Sequence, residues 1–374
     1  MRLFGLFCCL LPVWAAAACG EYAFDLNWQE NSASYVKTVR LDRHEPFGKE
    51  PDTAQNVVFR GILDLGYGDY VKNAGFLWDK ANQKLYVDLN ADGDLTNDPN
   101  SVFTSGMIGD FQMFPAFLIS FESEEGIRQF KIEARLRDAS WAKQAEFAVL
   151  SAYAGSVELY GRKWRFTIWD DLNRKTMEPD YFAIHPAEAD AGRYWSVPQS
   201  LFVGGRCYEL GFQSQQTDNR RLKVTCFLKE TPLALGELKV EGTSIKHLVL
   251  GNEQMLIFPE PTDGISQVPA GQYECQGCTL VGADEVFISP ADVHSIKVLV
   301  EEARQNSLKI GGPLKQSVIV NRSGKSLNFS YQLTGAGGEG YDIRSLQNYD
   351  YSKTPSVAVY KGTTQLASGR FEYG

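Results

Sequence analysis

Residues 57–99 read VVFRGILDLGYGDYVKNAGFLWDKANQKLYVDLNADGDLTNDP, and this stretch decides the fold class. Val57-Val58-Phe59 and Ile62-Leu63-Asp64-Leu65 are rich in β-branched and aromatic residues, which suit a pleated, half-buried surface. Gly66-Tyr67-Gly68-Asp69 supplies a turn, Phe76-Leu77-Trp78 and Leu85-Tyr86-Val87 follow as strands, and Asp79-Lys80-Ala81-Asn82 turns between them. Short β-rich runs punctuated by Gly, Asn and Asp mark hairpins, so the spacing predicts an antiparallel meander. Where its last strand ends, Asp88, Asn90 and Asp92 alternate with other residues, Gly93 follows, and Asp94, Thr96 and Asp98 add more oxygens.

That run is the only place where residue type and spacing together specify a chemistry. Ca²⁺ takes about six to eight oxygen ligands in a flexible cage. Oxygens at the first, third and fifth places converge when a glycine lets the chain turn at the sixth, and Asp88, Asn90, Asp92 and Gly93 fill those places. Over about a dozen residues the loop resembles the calcium loop of EF-hand and dockerin-type proteins. The resemblance implies a calcium site held by Asp88, Asn90, Asp92, Asp94, Thr96 and Asp98. Asp94 would give its backbone carbonyl, and Asp98 would replace the closing carboxylate, since Pro99 stands in the family's last place. A strand enters this loop and no amphipathic helix leaves it. The expectation is therefore a structural site pinning a long loop, not a calcium switch. A solvated Asp/Asn/Gly turn without an ion is the simpler alternative.

The 374 residues suffice for about two or three domains. Aromatic residues at 12% and 34 glycines favour strands and turns over helices. Acidic residues outnumber basic ones by 46 to 37, a formal net charge of −9, which argues against nucleic acid or an anionic membrane surface as partner. Arg2 followed by an apolar run from Leu3 to Ala18, with Ala16 and Ala18 before the cut, reads as an export signal over residues 1–18. A membrane anchor is the alternative, but the run is short and contains Pro12. No later stretch is apolar enough to span a bilayer. Ala17-Ala18-Cys19-Gly20 resembles a bacterial lipoprotein box, which would imply a lipid anchor at Cys19. Ala16 stands where that family prefers Leu, and Tyr22, Phe24 and Leu26 alternate like a strand at once. The expected location is secreted, periplasmic or attached to the cell envelope. As a whole the chain resembles uncharacterised secreted bacterial β-proteins.

The predicted class is mainly β: an antiparallel meander and hairpin domain over residues 20–232, a β-rich linker domain over 233–306, and an immunoglobulin-like β-sandwich over 307–374. Gly61-Ile62-Leu63-Asp64-Leu65 is similar to Gly155-Ser156-Val157-Glu158-Leu159, and Asp88-Leu89-Asn90 to Asp171-Leu172-Asn173. Phe202 to Leu210 shares the rhythm, which hints at a repeated hairpin unit. Ala139 to Tyr153 is the best helix candidate, though Phe147 to Tyr153 also suits a strand. Ser289-Pro290-Ala291-Asp292 could cap one helical turn.

Export permits disulfides, and Cys275-Gln276-Gly277-Cys278 is expected to be a tight disulfide turn. The apolar faces of the strands around Cys207 and Cys226 put those two cysteines on opposite sides of one sheet. The histidines His44, His185, His247 and His294 lack metal-ligand spacing. Trp141, Trp164, Trp169 and Trp195 are candidates for a sugar-binding platform, with core burial the ordinary alternative for each. These observations point to an exported, non-enzymatic binding or structural protein with a structural calcium loop, its partner a polysaccharide or an envelope protein. The competing class is a secreted carbohydrate-active enzyme. A concave acidic cleft holding a carboxyl of raised pKa would favour the enzyme; exposed aromatics without such a carboxyl would favour the binder.

Overall fold

The computed structural model describes residues 20–30, 36–41, 46–53, 57–64, 73–108, 110–123, 126–139, 142–169, 181–187, 194–260, 264–281, 285–288, 292–324, 326–343 and 355–371. All regular structure among them is β, and nearly all pairing is antiparallel. No helix among the described residues is long and apolar enough to cross a membrane. The leader over 1–18, Cys19, the Asp171–Asn173 tripeptide, Trp141, His44 and residues 289–291 lie outside the described residues.

The strands of the meander form as their sequence predicts, while the turn at 66–69 lies outside the described residues. Val58–Asp64, Asn73–Asp79, Lys84–Val87 and Val102–Thr104 pair in that order, with Phe59 opposite Trp78 and Trp78 opposite Leu85. Its buried residues pack against a second sheet in which Val36–Arg40, Ala142–Val149 and Gly126–Ala139 are neighbours. On Gly126–Ala139 the inward side chains Phe130, Ile132, Ala134 and Leu136 recur at every second position, the period of a strand with one face on a core. The indole of Trp78 donates to Gln112 Oε1 at 2.7 Å, which satisfies its one polar atom inside this core.

The helix candidate between Ala139 and Tyr153 is overturned. Residues Ala142–Val149 and Ser151–Leu159 are strands. Ala145, Phe147 and Val149 are all buried, so their spacing of two decides the conformation and the helix-favouring alanines do not. Leu150 separates the strands, its N–H donating to Lys131 O at 2.7 Å. The first strand stays in the meander's core, and the second enters a different sheet.

The sheet that Ser151–Leu159 enters is long. Glu21–Glu30 lies inside it, between Leu222–Glu230 and Ser151–Leu159. Beyond Ser151–Leu159 come Arg162–Trp169, Tyr181–Pro186 and the short edge Trp195–Ser196. In the other direction come Arg206–Gln216, Ser200–Val203, Met255–Ile257, Ile245–Gly251 and Gly271–Val281. Two hairpins turn on positive φ pairs, Tyr160 with Gly161 and Gly204 with Gly205, the two-residue loops whose twist matches paired strands. The recurring apolar–glycine–strand rhythm therefore corresponds to real hairpins at Gly155–Leu159 and Phe202–Leu210.

Twist makes this sheet roll on itself. Trp164 and Trp195, from its beginning, both set their rings edgewise to Phe258, at 5.9 and 5.8 Å between centroids. They share a core with Val249 and Leu256, which follow far along the strand order. The edge strand Trp195–Ser196 thus comes to face Met255–Ile257 and Gly271–Val281 across a seam.

The outer face of the same sheet carries a third core. Cys226 lies in the second core and Cys207 in the third, so the two cysteines do sit on opposite sides, as the hydrophobic pattern requires. Cys275 and Cys278 both enter the third core and stand as thiols, not as the expected disulfide turn. Residues three apart on a regular strand face opposite ways. A bulge, in which Val249 pairs with Gly277 while Leu250 pairs with Cys275, restores the common face.

In the C-terminal part, Lys315–Ser323, Ser326–Thr334 and Gly340–Ile343 extend the long sheet through Glu285–Ile288. Ser356–Lys361 pairs with Thr364–Arg370 alone. An immunoglobulin-like sandwich does not follow from this pairing. Hydrogen bonding also runs across both expected domain boundaries, through Ser200–Val203 with Met255–Ile257 and Glu285–Ile288 with Gly340–Ile343.

Candidate functional site

Two places carry chemistry: the acidic loop, and a cleft at the seam of the rolled sheet. The loop leaves Val87 and returns at Ser101, and Val87 N–H donates to Ser101 O at 3.0 Å to close its neck. Asp88 is 2% exposed. Its Oδ1 accepts from Asp92 N–H at 3.2 Å and its Oδ2 from Gly93 N–H at 2.9 Å. Asp98 Oδ2 accepts from Leu89 N–H at 2.7 Å and Asn90 N–H at 3.3 Å. Asp92 accepts from Asp94 N–H at 2.8 Å and from the Asn97 amide at 2.7 Å. Ala91 and Gly93 take φ of +62° and +81°, which lets so short a segment fold back on its own carboxylates.

One ammonium completes the loop. Lys49 Nζ lies 2.7 Å from Asp94 Oδ2, and the backbones join where Lys49 N–H donates to Gly93 O at 3.2 Å and Leu95 N–H to Lys49 O at 3.0 Å. The side-chain bond from Lys49, helped by Thr96, holds the Asp94 carboxyl down at about 2. Hydrogen bonds from Asn97 and the Asp94 N–H also lower Asp92. Burial pushes Asp88 the other way, above the usual carboxylate range, against the pull of the Gly93, Ala91 and Asp92 N–H groups. Asp88, Asn90, Asp92, Asp94, Thr96 and Asp98 are thus gathered into one loop. Their oxygens face the loop's own N–H groups and Lys49. Among the described residues no group of three or more His, Cys, Asp or Glu side chains is arranged to hold a metal ion.

The cleft has a volume of about 910 Å³. One wall is aromatic. Tyr181, Tyr194 and Trp195 line it, Tyr194 sits edge-on to Tyr181 at 5.4 Å and to Trp169 at 6.2 Å, and Tyr194 remains 56% exposed. The Trp195 indole nitrogen is buried and has no hydrogen-bond partner among the described residues. The opposite wall is polar. Gln272, Glu274 and Gln276 project from the face of Gly271–Val281 opposite the third core, and Glu253 and His294 stand beside them. Gln276 is the extra residue of the bulge, so the irregularity that seats Cys275 and Cys278 in the core also aims this amide into the cleft.

Glu274 is the charged centre of that wall. Lys297 Nζ lies 2.7 Å from Oε1 and His294 Nδ1 lies 3.3 Å from Oε2. The bond from Lys297 lowers the Glu274 carboxyl below its ordinary range. Gln276 Nε2 stands 3.2 Å from the same His294 nitrogen. A neutral imidazole can accept that amide proton, and a protonated one donates to Glu274 instead. His294 adopts φ +73°, a left-handed conformation that histidine enters more readily than most side chains.

Of the predicted tryptophans, Trp164 and Trp169 are buried in cores and Trp195 alone among those described lines the cleft. Tyr194, Gln272, Glu274, Gln276 and His294 carry no sequence motif. The one available signal was the short cluster Tyr194-Trp195-Ser196-Val197-Pro198, aromatic and turn-forming at once. No protein-family model, no curated protein and no solved structure matches the chain.

Proposed function

We propose that this chain works outside the cytoplasm as a non-enzymatic binding protein. The cleft at the seam is its ligand face, and the acidic loop is a clamp on the meander that calcium reinforces. Glu274 carries the choice of binder over enzyme. The cleft is concave, as an enzyme's would be, but Lys297 holds its carboxylate ionised. A general acid in glycoside cleavage needs the opposite shift. The N-terminal apolar run supports export, to a secreted, periplasmic or envelope-attached location. Strand Glu21–Glu30 begins directly after Gly20, whose N–H reaches Glu230 Oε2 at 3.3 Å. This immediate entry into the sheet fits plain secretion better than a tethered lipoprotein anchored at Cys19. Calcium at the loop would draw on the Asp92 and Asp94 oxygens and so displace Lys49.

The test is incubation of the mature chain with a mixed probe set of neutral and acidic glycans, a quaternary ammonium ion and short peptides. Thermal midpoints and probe masses are both followed. The expected result is a probe that raises the midpoint, is recovered intact, and loses its effect in Tyr194→Ala. A probe recovered cleaved, with cleavage abolished by Glu274→Gln, would establish the carbohydrate-active enzyme instead.

A further inference from the structure

We propose that the cleft binds a neutral, hydroxyl-rich ring, one sugar unit of a glycan, with its C–H face on Tyr194 and Trp195 and its hydroxyls on Gln272 and Gln276. The inference rests on the reading of the cleft as the ligand face and adds the chemical class of the ligand.

The aromatic wall asks for a flat apolar surface. Tyr194 leaves most of its ring in solvent while its neighbours Tyr181 and Trp169 hold it edge-on, so the ring is positioned without being covered. Trp195 adds a second ring whose buried indole N–H has no acceptor among the described residues, and a ligand oxygen that reached it would relieve that cost. A sugar offers both features at once: a C–H face for stacking and hydroxyl oxygens at the ring edge.

The polar wall selects among ligands that carry such a face. Amides donate and accept, and so does each hydroxyl. Gln272 and Gln276 lie on one row of the strand. Glu274 already faces Lys297 and His294, which leaves Glu253 as the carboxylate of the described lining that could hold a cation against the rings. An anionic ligand would meet both carboxylates. The paired amides therefore favour a neutral, hydroxylated ligand, with a cation as the competitor that the test must exclude.

The experiment is a glycan array carrying neutral and acidic oligosaccharides, followed by titration of the best neutral hit and of tetramethylammonium against wild type, Tyr194→Ala and Trp195→Phe. Neutral glycans should be retained, and Tyr194→Ala should weaken the hit by about tenfold or more, the scale of one lost stacking ring. Trp195→Phe keeps a ring and removes the N–H, so it should weaken binding by about threefold to tenfold. Tyr194→Ala should keep the wild-type melting midpoint within a few degrees, because Tyr194 is 56% exposed, whereas Trp195→Phe trims a ring packed on Phe258 and is read only at a temperature well below its own midpoint. Retention of no neutral glycan, or a neutral hit indifferent to Tyr194→Ala, overturns the proposal. Tetramethylammonium or acidic glycans bound in a Tyr194-dependent way would overturn the ligand class and leave the cleft as ligand face. If no probe of any class depends on Tyr194, both readings fall.

Discussion

The acidic loop and the seam cleft both gather polar side chains, and they are built in opposite ways. The loop is local: Asp88 to Ser101 closes on itself, and its outside help is the segment around Lys49. The cleft is assembled from distant parts of the chain, Tyr181 and Trp195 on one side and Glu253, Gln276 and His294 on the other. In the loop nearly every carboxylate oxygen has a donor within reach. In the cleft Tyr194 stays exposed, and the buried Trp195 indole N–H has no acceptor among the described residues. The difference separates holding from binding: satisfied polar groups stabilise a fold, and unsatisfied ones in a concave place await a partner.

The strongest way to break this contrast is Phe258→Ala. Phe258 is buried beneath both Trp164 and Trp195, so it supports the aromatic wall from behind. Loss of a buried phenylalanine ring costs about 3–5 kcal/mol. Chemical denaturation should show that loss with little change in slope, and ligand binding in the cleft should weaken as Trp195 loses its support. Hydrogen exchange at the loop amides of Asp92 and Gly93 should fall only to the new global limit. Selective loosening of the loop would mean that the two places are coupled.

Asp88→Ala is the reciprocal experiment, with a smaller effect. It strips the acceptors from two loop N–H groups and leaves a small void at a buried position. The expected cost is about 1–3 kcal/mol, with fast exchange of the Gly93 amide as its local mark. Affinity for a cleft ligand should stay within about twofold, since the loop belongs to the first core and the cleft to the second. A Tyr194-dependent ligand that lost affinity in Asp88→Ala would contradict the division.

Calcium gives a third, weaker lever. Ca²⁺ in excess over its dissociation constant should raise the melting midpoint, by about 2.7 kcal/mol of linkage at a hundredfold excess. Mg²⁺ should do less, because it demands a tighter octahedron. Lys49→Ala should enlarge the calcium response by removing the competing ammonium from Asp94. An identical midpoint in calcium and in chelator, for both wild type and Lys49→Ala, would leave the loop as a self-closed turn.

The contrast also explains what could be read from residue order. The meander was legible because Phe59, Phe76, Trp78 and Leu85 alternate or pair within a few residues of one another, and the loop because Asp88, Asn90 and Asp92 share one turn. The opposite placement of Cys207 and Cys226 was legible because side-chain direction has period two within a regular hairpin. Cys275 and Cys278 defeated the same rule, since one extra residue at Gln276 reverses direction and leaves no trace in composition. Ala142–Val149 was obscured by its alanines, which fit a helix locally, and its pairing with Gly126–Ala139 decided against one. The cleft was illegible for a stronger reason. Tyr194 and Glu274 become neighbours only when the sheet rolls, and that depends on twist summed over many strands.

The smallest expected effect concerns acid, and it tests whether Lys49 is the loop's cation. Lys49 holds Asp94 at about 2, below the roughly 3.9 of an unfolded aspartate. A depressed carboxyl contributes stability that is present above the unfolded value and is lost as pH falls through the folded one. For Asp94 the window runs from about 4 down to about 2. Asp88, raised by burial, has the opposite sign: its contribution is full below the unfolded value and is lost as pH rises through the folded one. The wild-type acid limb therefore contains opposed terms, with Asp92 and Glu274 on the same side as Asp94. Lys49→Ala removes the Lys49 share of the Asp94 term, leaves the Thr96 share and spares the Asp88 term, so urea midpoints should fall less steeply between pH 4 and pH 2 in the variant. The Lys49 ammonium is exposed, and ions screen such a pair to within about 3 Å at 1 M salt. High salt should therefore flatten the wild-type limb towards the variant's and leave the variant almost unchanged. Parallel acid limbs for the two proteins at low salt would show that the Lys49–Asp94 pair does not persist in solution, and the loop would then hold its shape through Asp88, Asp92 and Asp98 and the backbone bonds to Lys49.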